Sequence, residues 1–127
     1  MVKYLMDAGA WIEYLLGSPK GKEVRRLIQN SDVVITAHST IGEVYGWCFK
    51  SGYSFATAVR AINNLSTIHN TSLNIWVEGS NHCKRLRDKR PKFGIIDGIL
   101  LAIQNITGSV IVTSDTDFKG LPGVVVL

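Results

Sequence analysis

Val110-Ile111-Val112-Thr113-Ser114-Asp115-Thr116-Asp117-Phe118 is the stretch that decides the fold. Its three leading β-branched residues are apolar on both sides of an extended chain, so the strand they form is covered on both faces. The polar segment from Thr113 to Asp117 ends that strand abruptly. The same pattern opens the chain, where the apolar run Val2–Met6 stops at Asp7, and recurs at Val33-Val34-Ile35-Thr36. Val124–Val126 reads as a last short strand. Thr67-Ile68 is ambiguous, compatible with a further short one.

Between these strands the apolar residues follow helical spacing. A helix from Ala8 to about Leu16 closes at Gly17-Ser18-Pro19. Val24, Leu27 and Ile28 then recur opposite Lys22, Arg25 and Arg26, and Ile41, Val44, Tyr45 and Cys48 form one apolar face ended by Ser51-Gly52. A further helix runs from about Ser54 to Asn64. Ile75, Gly79, His82, Cys83 and Leu86 line a longer helix closed by Pro91, and Ile96, Ile99, Leu100, Ile103 and Ile106 line the next. Two-faced strands alternating with helices predict an α/β, doubly wound fold around a mainly parallel sheet.

The 127 residues fit one domain, 1–127, and a hydrophobic content of 46% supplies its core. Only 19% of residues are charged, which excludes a disordered chain. No apolar run approaches the roughly 18 residues of a membrane span, so no membrane partner is expected. Asp7 and Glu13 interrupt the first apolar stretch, which argues against a secretory leader. Cys48 and Cys83 form no Cys-x-x-Cys motif, and a reduced, cytoplasmic setting is expected. Together with His38, His69 and His82 they show no zinc-ligand spacing.

The acids carry the functional signal. In open parallel sheets ligands bind at the carboxyl ends of the strands. Asp7 follows the first strand, Asp115 and Asp117 follow the Val110 strand, Glu43 lies one turn into the helix after the second strand, and Asp97 begins the helix leading to Val110. Each has an ordinary structural role open to it: Asp7 as a helix cap, Glu43 in a Thr40-x-x-Glu43 capping box, Asp97 at a helix N-terminus, Asp115 and Asp117 in a turn. Taken together they are five of the chain's ten acids, scattered in sequence and expected to converge in space at one sheet edge. Two bare carboxylates about 4 Å apart repel by roughly 4 kcal/mol at an effective dielectric near 20, so such a cluster calls for protons or cations. Oxygen donors without imidazole or thiolate select hard divalent ions, Mg2+ or Mn2+. A carboxylate cage for such ions is common equipment for phosphodiester hydrolysis.

Four segments in order resemble the motifs of the PIN-domain family, in particular its small prokaryotic VapC-type toxins. They are Tyr4-Leu5-Met6-Asp7-Ala8-Gly9-Ala10-Trp11-Ile12, Glu43-Val44-Tyr45, Gly94-Ile95-Ile96-Asp97-Gly98-Ile99-Leu100-Leu101-Ala102, and Thr113–Val124 with its Asp117-Phe118 pair. Each motif alone is weak, but four at suitable spacing span nearly the whole chain. The resemblance implies a three-layer α/β/α sandwich and a Mg2+- or Mn2+-dependent ribonuclease. It implies Asp7, Glu43, Asp97 and Asp115 as catalytic metal ligands and Asp117 as an accessory acid. It also implies an antitoxin protein as partner, inserting an Arg or Lys into the acidic groove, and a homodimer. One departure stands out: family members commonly follow the first aspartate with Thr-Ser, and Ala8-Gly9 stands here instead. The hydroxyl normally at position 9 would hydrogen-bond into the acidic site.

With those four acids neutralised by metal, 14 basic residues face six acidic ones, a balance suited to RNA. The densest basic run, Lys84-Arg85-Leu86-Arg87-Asp88-Lys89-Arg90-Pro91-Lys92, leads towards Asp97. Lys84, Arg85, Arg87 and Arg90 are therefore candidate phosphate contacts, with a solvated helix end as the plain alternative. Trp11, just after Asp7, is the best placed of three tryptophans to stack on a base, with a place in the core or an interface as the commoner reading for tryptophans at helical spacing. His38 is the histidine nearest the acids. A receiver domain would need an acidic pair after the first strand, and a dinucleotide-binding module would need Gly-x-Gly-x-x-Gly. Neither is present. A processing nuclease without a toxin role, and a weakened domain acting only as a binding module, stay open.

Overall fold

The computed structural model describes residues 1–127. Five strands, β1 (Lys3–Met6), β2 (Val33–Ala37), β3 (Thr67–His69), β4 (Val110–Thr113) and β5 (Val124–Val126), make one sheet in the order β3-β2-β1-β4-β5. Every pairing is parallel. Six helices connect them: α1 (Ala8–Leu16), α2 (Pro19–Gln29), α3 (His38–Ser51), α4 (Phe55–Leu65), α5 (Leu73–Leu86) and α6 (Ile95–Thr107), with a 3₁₀ turn over Thr116–Phe118. The ambiguous Thr67-Ile68 is edge strand β3, with Ile68 opposite Thr36.

Successive strand residues point to opposite faces, and both faces are apolar. Leu5, Ile35 and Ile111 pack beneath α5 and α6 with Ile75, Phe93, Ile99, Leu100 and Ile103. Met6, Val34 and Val112 pack on the other side with Trp11, Val24, Leu27, Val44 and Ile62 from α1 to α4. This is the three-layer α/β/α sandwich. Each fully buried side chain of this size contributes about 1.5–3 kcal/mol of transfer free energy, which explains why the strands are legible as apolar runs.

Two features of this frame set the positions of acids. β1 is central, with β2 on one side and β4 on the other, so the chain order reverses beside β1 and leaves a crevice at the carboxyl ends of β1 and β4. On the opposite layer, α5 and α6 cross where both lack a side chain. A Cβ added at Gly98 would collide with the carbonyl oxygen of Gly79, and one added at Gly79 would lie 2.8 Å from the backbone nitrogen of Ile99. Gly98 directly follows Asp97, so this crossing fixes the first turn of α6 against the body of the protein.

Candidate active site

β1 delivers Asp7 to the crevice. Its backbone N–H still donates to the Val112 carbonyl at 2.9 Å, extending the sheet by one residue. Its side chain turns back to cap α1, Oδ1 accepting from the Ala8 N–H at 2.7 Å, while Oδ2 accepts from the Thr113 hydroxyl at 2.6 Å. Only 8% of Asp7 is exposed. Burial pushes its carboxyl above the usual range, the two hydrogen bonds pull it back, and Asp115 pushes it up again.

β4 delivers Asp115. The Thr113 hydroxyl that donates to Asp7 also accepts from the Asp115 N–H at 2.9 Å, and Asp115 Oδ1 accepts from the Asp117 N–H at 2.8 Å. The turn after β4 is thereby tied to the end of β1 through one hydroxyl. Asp117 contributes its backbone N–H to this arrangement.

Asp97 is the third residue of α6, and its Oδ2 accepts from the Gly94 N–H at 2.8 Å. Burial raises its carboxyl to about 6, with Gly94 pulling down and Asp7, Asp115 and Asp117 pushing up. Glu43 sits on an exposed stretch of α3. Partial desolvation at the crevice, reinforced by the charges of Asp7, Asp97 and Asp115, pushes it up to about 7. The capping box open to Glu43 in the sequence does not form. α3 begins at His38 with Ala37 as its cap residue and no side-chain cap bond, which leaves Thr40 inside the first turn with a buried, unpartnered hydroxyl.

These four carboxylates come from four separate segments and feel one another's charge. None has a cationic partner: the one ion pair of the protein is Arg26–Glu23, at 2.5 Å on the surface of α2. No three acidic, histidine or cysteine side chains stand at the spacing of a closed coordination shell. The donor set itself fits a hard divalent cation, being all oxygen, and every carboxylate oxygen retains a lone pair beyond its present hydrogen bond.

The other candidate contacts divide. Trp11 is wholly buried and its indole N–H donates to Thr36 Oγ1 at 3.1 Å, so no face is open to a base. It ties α1 to β2 instead. Two of the basic candidates hold backbone. Arg87 Nε donates to the Phe93 carbonyl at 2.9 Å, just before the turn into α6. Arg90 donates from one nitrogen to the carbonyls of Asp117 at 2.6 Å and Lys119 at 2.8 Å, strapping the turn after β4 to the end of α5. Arg85 is exposed and contacts His82 on its own helix. Lys84 is exposed and lines, with Ser80, Cys83, Arg87 and Ile95, an open cavity of about 630 Å³ beside the start of α6. His38 is exposed at the first turn of α3.

Sequence reasoning gave no role to Thr113, Gly94 or the Gly79–Gly98 crossing. The Thr113-x-Asp115 spacing was the available signal for the first. The others depend on contacts between remote segments.

Fold and crevice together define a wholly parallel α/β domain with an acidic, all-oxygen cleft where its strand order reverses. The chain belongs to the PIN domain family, whose sequence model matches residues 4–124; PIN domains are nucleases. Among solved structures, it is similar to a toxin–antitoxin complex from Klebsiella pneumoniae, with 24% identity, a TM-score of 0.68, and coverage of 96% of this chain and 95% of that one. It is similar to VapC20 of Mycobacterium tuberculosis, a sarcin–ricin loop cleaving toxin, at 16% identity and a TM-score of 0.77 over 95% of this chain and 96% of that one. DNA-bound VapBC from Salmonella typhimurium shows 18% identity and a TM-score of 0.74 over 100% of this chain and 98% of that one. At these identities the likeness is one of fold. No curated protein matches the sequence.

Proposed function

We propose that the protein is an endoribonuclease dependent on Mg2+ or Mn2+, and the toxin of a VapBC-type toxin–antitoxin pair. The observation that carries this reading is the set Asp7, Glu43, Asp97 and Asp115: four carboxylates, no cation among them, and three carboxyl groups pushed upward by burial and each other. Such a set is stabilised by a divalent ion, and the chemistry that ion supplies when bound is an activated water and neutralisation of charge on a phosphodiester.

The chain's own residues do the positioning. Thr113 and the Ala8 N–H hold Asp7, the Gly94 N–H holds Asp97, and the Asp117 N–H holds Asp115. Each bond fixes a carboxylate while leaving lone pairs free towards the crevice. Glu43, with a pKa near neutrality in the metal-free protein, holds a proton at its carboxyl that cation binding displaces. Lys84 and Arg87 are exposed cations lining the cavity beside the start of α6, and the basic surplus of the chain favours a polyanion.

RNA as substrate and a small antitoxin as partner rest on the similar toxins, one of which cleaves the sarcin–ricin loop and others of which are complexes with antitoxin. A cytoplasmic homodimer completes the reading, and no helix is long and apolar enough to cross a membrane. The test is cleavage of a structured-RNA panel that includes tRNAs, with and without Mn2+ or Mg2+, by the native protein and Asp97→Asn. Metal-dependent cutting that Asp97→Asn loses supports the reading. Cutting that is indifferent to metal or to Asp97 refutes it. A small gene directly upstream whose product suppresses cutting separates a toxin from a processing nuclease.

A further inference from the structure

Asp7 is followed by Ala8-Gly9, so the first turn of α1 brings no hydroxyl to the crevice. The space beside Gly9 is filled from another segment. A Cβ built on Gly9 would overlap Ser114 Oγ, with Ser114 Cβ at 3.5 Å and the Ser114 backbone nitrogen at 3.7 Å. A side chain at position 9 requires the Ser114 hydroxyl to turn away, since only Oγ, and not Ser114 Cβ or backbone, stands in its way.

Ser114 stands between two residues already committed. Thr113 spends its hydroxyl on Asp7 and the Asp115 N–H, and Asp115 spends Oδ1 on the Asp117 N–H. None of the side-chain hydrogen bonds around the crevice engages the Ser114 hydroxyl, and the residue is half-buried, in partial contact with solvent. It therefore presents one donor and two acceptor sites between the segment that carries Asp7 and the segment that carries Asp115.

We infer that Ser114 is a positioning residue of the acidic crevice: its hydroxyl supplies, from the β4 side, the hydrogen-bonding group that the first turn of α1 lacks, and Gly9 makes the room for it. The inference rests on the proposed metal-dependent function, since the group it orients is the water around a cation held by Asp7 and Asp115. Positions 9 and 114 are then two ends of one exchangeable contact, so the hydroxyl can be moved from one to the other but not duplicated.

A mutant cycle read by Mn2+ calorimetry, thermal melting and circular dichroism tests this. Ser114→Ala weakens Mn2+ binding about 5- to 10-fold, the worth of one hydrogen bond, without lowering Tm. Gly9→Ser, which turns the Ser114 hydroxyl out of its place, lowers Mn2+ affinity with little change in Tm. Gly9→Ser combined with Ser114→Gly returns Mn2+ affinity to within about twofold of the native protein, the coupling expected of residues in contact. Should Gly9→Ser alone fail to fold, the comparison of the double variant with Ser114→Ala still decides. Native-like affinity in Ser114→Ala, or a double variant no better than Ser114→Ala, overturns the inference while leaving the metal site standing. A native protein that binds no Mn2+ overturns the functional reading and this inference together.

Discussion

The Thr113 hydroxyl donates to Asp7 Oδ2 at 2.6 Å across the junction of β1 and β4, and accepts from the Asp115 N–H at 2.9 Å. One buried oxygen thus sets the relative position of two carboxylates 108 residues apart in sequence. Thr113→Val keeps the shape and removes both bonds. A buried hydrogen bond to a charged group is worth about 1.5–3 kcal/mol. Urea unfolding at neutral pH is expected to show a loss of that order, and the Asp7 carboxyl rises further because a bond that lowers it is gone.

The raised carboxyls make the metal-free protein acid-tolerant. Glu43 at about 7 and Asp97 at about 6 lie above their unfolded values, so the folded state binds more protons between about pH 4 and pH 7. Their contribution to stability is fully present below the unfolded values and is lost as pH rises through 6 and 7. The metal-free Tm is therefore expected to fall between about pH 5 and pH 8, measured by calorimetry. On the proposed function, Mn2+ is expected to reverse the trend by binding the deprotonated carboxylates. Glu43→Gln flattens the metal-free profile.

Two glycines in helices respond oppositely to the same change. Gly98→Ala drives a methyl into the Gly79 carbonyl where α5 crosses α6. Overpacking against backbone costs about 1–3 kcal/mol or more, and displaces Asp97 with it. Gly46 on α3 has no atom within 4 Å of its missing Cβ. Gly46→Ala is expected to stabilise by about 0.5–1 kcal/mol through helix propensity alone. Denaturant midpoints of the two variants check the pair.

On the proposed function, the basic run separates into a phosphate contact, Lys84, and a strap, Arg90. Lys84→Ala weakens RNA binding, lowers the slope of log affinity against log salt by about 1, and leaves Mn2+ affinity unchanged. Arg90→Met releases the carbonyls of Asp117 and Lys119 and weakens Mn2+ binding through the turn that carries Asp115. Binding titrations at several salt concentrations, with parallel Mn2+ calorimetry, distinguish the two behaviours.

The fold was legible because both faces of β1, β2 and β4 are buried, which makes each strand a short apolar run with a polar stop. β3 was ambiguous for the converse reason: it is a three-residue edge strand with Thr67 exposed, and its assignment depends on pairing with Ile35–Ala37. The places of Asp7 and Asp115 after strands and of Asp97 at a helix start were legible from the pattern, while Glu43, in the second turn of α3, drew its candidacy from the family resemblance. Trp11 takes the core place more usual for a tryptophan at helical spacing, not the stacking one its nearness to Asp7 left open: the first turn of α1 directs Asp7 to the crevice and Trp11 into the core. That Arg87 and Arg90 also hold backbone was not legible, because an arginine near a helix end looks alike in sequence whether it meets solvent or a remote carbonyl. The partners Phe93, Asp117 and Lys119 exist only once the chain has folded. The filling of the Gly9 space by Ser114 was invisible for the same reason.

The most direct test of the central claim, that Asp7, Glu43, Asp97 and Asp115 act as one cation site, is Mn2+ calorimetry on the native protein and on Asp7→Asn, Glu43→Gln, Asp97→Asn and Asp115→Asn. The account predicts that each substitution weakens Mn2+ binding by about 10-fold or more, and that native binding near pH 6.5 releases protons held by Glu43 and Asp97. Mn2+ affinity that survives in two or more of the four folded variants, or native binding that releases no proton, would contradict it.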